Sequence, residues 1–298
     1  MADVKIYDTI VKSEPITKGW SEDKKYYAET ENGQRLFLRV SDIAEYNSKK
    51  AEYEMMGRVY NHGVCTPRPV EFGLCDDGKS VYQLSEWLDG MSADVALSKM
   101  SDAEQYELGV KSGELLRKIH SIPAPDNTDN WGVRFDKKLK TWFDEYNSKP
   151  EIHSETGEMI VRYLKKHRNV LDIRTQTLVH GDYNIENIIV MPDGEVKTID
   201  FNGFNTHYCD PWWDMNNMAW MPVMFPYFYT GQIKGRLNGE PPEEFWRVFT
   251  YYLAYDALAA LTDPYGLNGI EDGTEIVQNI LTWTDNFRNV VPTWYLKD

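Results

Sequence analysis

Lys24 to Glu29 and Arg35 to Val40 read as strands, and the second of them shows the two-residue period of a strand with one buried face. Glu31-Asn-Gly-Gln34 lies between them, and its Asn32-Gly33 pair predicts a hairpin turn. On the second strand Leu36, Leu38 and Val40 share one face, which leaves Arg39 on the other. From about Ile43 to Tyr60 the spacing becomes helical. There Glu52 shares a face with Met55, Met56 and Val59, whereas Glu54 lies between Lys50 and Arg58 at i±4 spacing, as in an exposed ion pair. A carboxylate on an apolar face needs a partner because burying an unpaired charge is costly; Arg39 is the expected one. Thr66-Pro-Arg-Pro69 forces an extended passage, and Ser80 to Leu84 reads as another strand, with regular structure ending at Asp89-Gly90.

Most of the chain after that point is helical in pattern. Ser101-Asp-Ala-Glu104 is a capping box opening a helix to about Ile119, with Leu108, Leu115, Leu116 and Ile119 inward and Gly109 and Gly113 permitting close approach. His120 ends it as a hydrogen-bonded structural histidine. Helices are also expected over 135–147 and 155–170. Pro241-Pro-Glu-Glu-Phe245 opens a longer one, whose apolar stripe runs through Phe245, Val248, Phe249, Tyr252, Leu253, Ala259 and Ala260. At 298 residues the chain exceeds the usual size of one hydrophobic core. The expectation is an α+β fold of two lobes: an antiparallel-sheet lobe over residues 1–88 and a mainly helical lobe over 89–298.

One strand-like stretch interrupts the helical part and carries the chemistry. Asn187 to Asp200 holds two short apolar runs around Asp193-Gly194, a hairpin signal, and counting outward from that turn pairs Asn187 with Asp200. An amide oxygen and a carboxylate at the open end of a hairpin are hard ligands of the kind that hold Mg²⁺ against nucleotide phosphates. Asp182, five positions before Asn187 in His180-Gly-Asp182-Tyr-Asn-Ile-Glu-Asn187, follows the apolar run ending at His180. A carboxylate placed there can accept the proton of an attacking hydroxyl.

Asp182, Asn187 and Asp200 resemble the catalytic loop and metal-binding aspartate of the protein-kinase-like fold. The form His-Gly-Asp is similar to aminoglycoside phosphotransferases and their choline, fructosamine and homoserine kinase relatives. The resemblance implies a kinase for a small-molecule alcohol, with Asp182 as catalytic base and Asn187 and Asp200 on Mg²⁺. It also implies that Arg39, where the family usually has lysine, holds the α and β phosphates of ATP or GTP, and that Glu52 fixes its position. Gly19 and Ser21, in the turn between the first two strands, would cover the phosphates. By its position the stretch at about 85–90 resembles the hinge between the lobes, where the Ser85 carbonyl and Trp87 N–H would meet the base. Cys209-Asp-Pro-Trp-Trp-Asp214 resembles the family's Asp-Pro-aromatic stretch, in which Asp210 is expected to brace the catalytic loop.

The acceptor is less clearly written. Trp212 and Trp213 suit either core packing or stacking on a sugar or quaternary amine. Asp256 falls on an apolar stripe, so it is either a capped structural acid or a ligand for a substrate amine. Glu271, Asp272 and Glu275 suit a helix N-terminus as well as a cation. The formal net charge of -15 argues against nucleic acid and anionic membranes and is compatible with a cationic ligand; with the family resemblance it implies an aminoglycoside or amino-sugar alcohol first and choline or a fructosamine second. Cys65, Cys75 and Cys209 are an odd set without metal-type pairing, as expected of reduced thiols in a cytoplasm. No signal peptide or membrane-spanning run is visible, and Pro222 and Pro226 break the longest apolar stretch.

Overall fold

The computed structural model describes residues 5–17, 22–202, 208–219, 224–263 and 273–297. Its strands are β1 (Ile10–Ile16), β2 (Lys24–Thr30), β3 (Arg35–Asp42), β4 (Pro69–Cys75), β5 (Ser80–Glu86), β6 (Met91–Ser92), β7 (Thr177–Leu178), β8 (Ile188–Val190), β9 (Val196–Thr198) and β10 (Tyr208–Cys209). Its helices are α1 (Tyr46–Asn61), α2 (Ala93–Leu97), α3 (Asp102–Ile119), α4 (Trp131–Ser148), α5 (Glu155–His167), α6 (Pro226–Leu237), α7 (Glu243–Thr262) and α8 (Gly273–Trp283). The chain forms two units, Met1–Ala93 with Glu186–Phe201, and Asp94–Ile185 with Asn202–Asp298. The sequence reading placed one boundary at 88/89. In the structure the first crossing falls at 93/94, and residues 186–201 return to the first unit.

In the first unit an antiparallel sheet has the order β1-β2-β3-β5-β4. Its alternation sorts the side chains as the period requires. Ala28, Leu36, Leu38, Tyr82 and Leu84 are buried on one face with Cys75, packed against Ile6, Tyr7, Ile10, Tyr26 and Val40. The opposite face carries the cross-strand row Lys25, Arg39 and Gln83. Helix α1 is tied to that row by the Gln83 side-chain amide, which donates to the Lys49 carbonyl at 2.8 Å. Tyr46 and Tyr53 of the helix pack against Phe72. The helix begins later than its apolar spacing implies, because Asp42 caps Ala44 and residues Ile43–Glu45 form a 3-10 turn first. The β6-β8-β9 sheet completes the unit. Gly90 lets the chain pass so close to β8 that a Cβ there would lie 2.4 Å from the Ile189 side chain.

The second unit is helical apart from the short β7-β10 pair. The capping box opening α3 is present as read, with Ser101 and Glu104 satisfying each other's backbone N–H. Helix α6 was not foreseen. Eight of its twelve residues are buried, so no polar face betrays its period, and Pro226 sits at its first turn, where proline is tolerated. Helices α3 and α6 cross backbone to backbone. A Cβ on Gly109 or Gly113 would lie 2.1 Å from the carbonyl oxygens of Phe228 and Gln232, and one on Gly231 or Gly235 would lie 2.2 Å from those of Tyr106 and Val110.

Because the atoms in the way are main chain, neither helix can yield by changing a rotamer. Gly113→Ala and Gly235→Ala should each lower stability by about 1–3 kcal/mol, read as a lower urea midpoint. Gly57→Ala in α1, where nothing lies within 4 Å of the new methyl, should raise it by about 0.5–1 kcal/mol.

Candidate active site

The β8–β9 hairpin turns through one residue more than its Asp-Gly pair suggests. Met191 N–H donates to the Glu195 carbonyl and Gly194 N–H to the Met191 carbonyl, so three residues, Pro192-Asp193-Gly194, form the turn. Gly194 has φ 80°, the left-handed position that a three-residue hairpin loop requires. This shifts the register by one from the expected count. Ile188 pairs with Thr198, and Ile199 N–H donates to the Asn187 carbonyl at 3.0 Å. Asn187 therefore faces Ile199, and Asp200 follows with φ 60°, turning away just past the end of the ladder.

The Asp200 carboxylate accepts from the Arg39 guanidinium at 2.8 Å. A second carboxylate, Asp23 at the entry to β2, lies 3.7 Å from Arg39 Nε and accepts a 2.9 Å hydrogen bond from Lys49. Both members of the Asp23–Lys49 pair are almost fully buried, with side chains 4% and 6% exposed. Burial works against charge on Asp23, but the Ser41 hydroxyl, Lys49 and Arg39 more than offset it and hold its pKa below the usual carboxylate value. Burial likewise opposes charge on Lys49, yet Asp23 and Glu52 keep its pKa raised.

The expected Arg39–Glu52 ion pair is corrected by this arrangement. Glu52 lies 3.8 Å from Lys49, and Arg39 turns to Asp200 and Asp23, which present carboxylates closer to it. Burial raises the Glu52 pKa despite the field of Lys49 and Arg39. Neither Asp23 nor Lys49 was singled out in the sequence. Lys49 precedes Glu52 by one helical turn, which offered a local signal; Asp23 offered none, because its partner is 26 residues away.

In the second unit, Asp182 lies in a loop held by its own backbone. Gly181 has φ 83°, and a Cβ there would approach the Asn202 carbonyl to 2.8 Å. Asn202 N–H donates to the His180 carbonyl. The Asp182 N–H meets His180 Nδ1 at 3.3 Å, and the Asn184 amide donates to the Asp182 carboxylate at 2.8 Å. Tyr183 next to it is anchored by a 2.8 Å hydrogen bond to the Ser112 carbonyl of α3.

The brace of this loop is Asp214, where Asp210 was expected. Asp214 accepts from the N–H groups of His180 and Gly181 at 2.6 and 2.7 Å. Asp210 is four residues too early for that and instead binds Arg174, the Tyr252 hydroxyl and the Trp212 N–H. Behind Asp214 the His120 ring completes a buried chain. Arg236 Nε donates to His120 Nδ1 at 2.6 Å, so Nε2 carries the proton toward Asp214 at 2.9 Å. Burial lowers the His120 pKa and brings that of Arg236 down to about 10. Burial opposes charge on Asp214 too, but His120 and the Gly181 N–H keep its pKa low.

Among the remaining predicted residues, Gly19, Ser21, Glu271 and Asp272 lie outside the described residues. Ser85 is in β5 opposite Phe37, and the Trp87 N–H already donates to the Arg35 carbonyl at 3.3 Å. Trp212 is engaged in packing: the Arg174 guanidinium lies 3.9 Å over its ring, with Phe245 at its edge. Asp256 is buried in α7 and Glu275 is exposed in the first turn of α8. Asn187 and Asp200 suit a hard divalent ion, since both offer oxygen and Asp200 already attracts a cation. Among the described residues no group of three or more His, Cys, Asp or Glu side chains could hold a metal.

Two outcomes follow from the buried charges. Lys49→Met takes from Asp23 its 2.9 Å partner and should cost about 3 kcal/mol in urea unfolding, part of it recovered in Asp23→Asn/Lys49→Met, because the buried carboxylate that lost that partner is gone as well. His120 has a folded pKa below its unfolded value, so the unfolded chain binds the extra proton. Stability should then fall as pH drops below about 6.5, and His120→Gln should flatten that part of the urea-midpoint profile between pH 7.5 and 5.5.

Residues 12–246 match the model of the phosphotransferase enzyme family. In fold the chain is similar to APH(2'')-IIa in its ternary complex with streptomycin and ATP, with TM-score 0.62 and 17% identity over 92% of this chain and 95% of that one. It is similar as well to a choline/ethanolamine kinase family protein from Mesorhizobium loti, with TM-score 0.60 and 14% identity over 94% and 91% of the two chains. In sequence it is 23% identical over 211 residues, 66% of this chain, to acyl-CoA dehydrogenase family member 10 of Mus musculus. The chain spans about a fifth, 19%, of the length of the curated relatives it matches. With the family model covering most of its length, the two-unit α+β chain has the protein-kinase-like fold and belongs to the phosphotransferase enzyme family.

Proposed function

We propose that the protein transfers the γ-phosphoryl group of ATP or GTP to a hydroxyl of an aminoglycoside or amino-sugar-like alcohol. The observation that carries this reading is the Arg39–Asp200 contact of 2.8 Å. It joins the strand cation suited to phosphate with the carboxylate suited to a metal, inside a chain of the phosphotransferase family. Arg39 holds the α and β phosphates, and the Asp23–Lys49 and Glu52 charges around it fix its place. Mg²⁺ on Asn187 and Asp200 would neutralise charge on the phosphates when bound.

Asp182 takes the proton of the acceptor hydroxyl as its oxygen bonds to the γ phosphorus and the bond to the β-phosphate oxygen breaks, releasing ADP or GDP. Asn184 orients that carboxylate, and Asp214 and Tyr183 keep the loop in place. The net charge of -15 supports a cationic acceptor. The three free cysteines support a reducing compartment such as the cytoplasm. Among the described residues no helix is long and apolar enough to cross a membrane. Choline, an amino alcohol or a fructosamine is the second acceptor class, motivated by the sequence resemblance.

The test is Mg²⁺-dependent ADP and GDP release by the purified protein across aminoglycosides, choline, fructosamines and homoserine. Asp182→Asn should lower acceptor-stimulated turnover by about 10²-fold or more while nucleotide still binds. Asp200→Ala should nearly abolish transfer. Nucleotide binding without turnover on any acceptor, indifferent to Asp182→Asn, would instead identify a nucleotide sensor.

A further inference from the structure

The cation row on the first unit's sheet holds a residue that the roles above leave unused. Lys25 in β2 is the direct cross-strand partner of Arg39 in β3, and side chains of directly opposed residues stand on the same face of a sheet. Two like charges so placed repel, and folding gives no reason to put them there. The acids nearby come within ion-pair distance of only one of them. Asp200 and Asp23 lie within ion-pair distance of Arg39, and Asp23 also takes Lys49. Among the described residues no carboxylate lies within ion-pair distance of the Lys25 ammonium.

Lys25 is also drawn partly out of water. Partial burial first, and Arg39 second, lower its pKa, while Asp200 and Asp23 pull the other way. A half-buried ammonium facing a guanidinium across two strands is an arrangement that an anion between them would stabilise. A phosphate group supplies the oxygens for both.

We infer that Lys25 is a second phosphate-binding residue, forming with Arg39 a two-pronged cationic clamp on the polyphosphate of the bound nucleotide. This rests on the kinase reading given above and extends it. In a nucleotide-bound protein the Lys25 ammonium supplements Arg39, whose charge is shared with two carboxylates. Loss of Lys25 therefore weakens phosphate binding while removing a repulsion from the ligand-free fold.

The experiment is calorimetric titration of ATP with Mg²⁺, and of adenosine, into wild type, Lys25→Met and Lys25→Arg, with urea unfolding of each ligand-free protein. The expected result is ATP affinity reduced about tenfold or more in Lys25→Met, the loss typical of a charge-assisted hydrogen bond, with adenosine affinity unchanged. The urea midpoint should be equal to or above that of wild type, and Lys25→Arg should recover most of the ATP affinity. Unchanged ATP affinity in Lys25→Met would overturn the assignment, as would an equal loss for adenosine, which marks damage to the fold rather than a lost phosphate contact. Failure of the wild type itself to bind ATP or adenosine would sink the nucleotide reading, a different result from a wild type that binds and a variant that binds equally well.

Discussion

The first unit is organised by the sharing of one guanidinium between two carboxylates. Arg39 reaches Asp200, 161 residues further along the chain, and Asp23, near the entry to the preceding strand. The contact with Asp200 ties the β8–β9 hairpin to the sheet on which Arg39 sits, alongside a 3.9 Å ion pair between Lys197 of β9 and Glu86 of β5. With it, the sheet and the hairpin become parts of one electrostatic unit. Asp23 is held on its other side by Lys49 of α1, so the helix is drawn into the same cluster. The polarity of the link between helix and sheet is consequently reversed from the pattern expected of the fold: the helix supplies the cation and the sheet side the acid. Glu52, the acid expected to make that link, is left as a neighbour of Lys49.

The second unit solves a different problem, the holding of a loop with little regular structure. Its answer is a buried carboxylate aimed at backbone. Asp214 has a fully buried side chain and meets two N–H groups of the Asp182 loop, while a neutral His120 and Arg236 stand behind it. Backbone donors serve here because they cannot rotate away. The loop geometry is thus set by backbone donors on one carboxylate, with His180, Tyr183 and Ile185 buried around it. Tyr183 adds an anchor outside the loop, through hydroxyl contact with Ser112 in the middle of α3.

The parts of this architecture that were legible in the sequence are those governed by local rules. The face assignments of Leu36, Leu38 and Arg39 came from a period of two, and the Ser101–Glu104 capping box from a spacing of three. What escaped was set by contacts distant in sequence or by all-round burial. Helix α6 has no polar stripe to show its period, and the roles of Asp23 and Lys49 exist only once β2 and α1 are brought together. The hairpin at Asp193-Gly194 shows how a correct motif can still mislead. The glycine does turn the chain, but Pro192 joins the turn, so the register moves by one and Asp200 is delivered by a left-handed residue beyond the ladder instead of by direct pairing. Similarly, the Asp-Pro-Trp-Trp-Asp stretch was right as a motif, but its second acid, not its first, meets the loop.

The crossing of α3 and α6 through four glycines bears on how the second unit opens. Contacts made by long side chains can be surrendered one at a time as each changes its rotamer, so an interface built from them loosens by degrees. Main chain set against main chain has no such intermediate positions. The two helices are therefore expected to separate together as one cooperative step, with their amides exchanging hydrogen as a block rather than from the ends inward. Ser112 lies within α3, so the anchor of Tyr183 belongs to that block. The loop carrying Asp182 inherits its slow breathing.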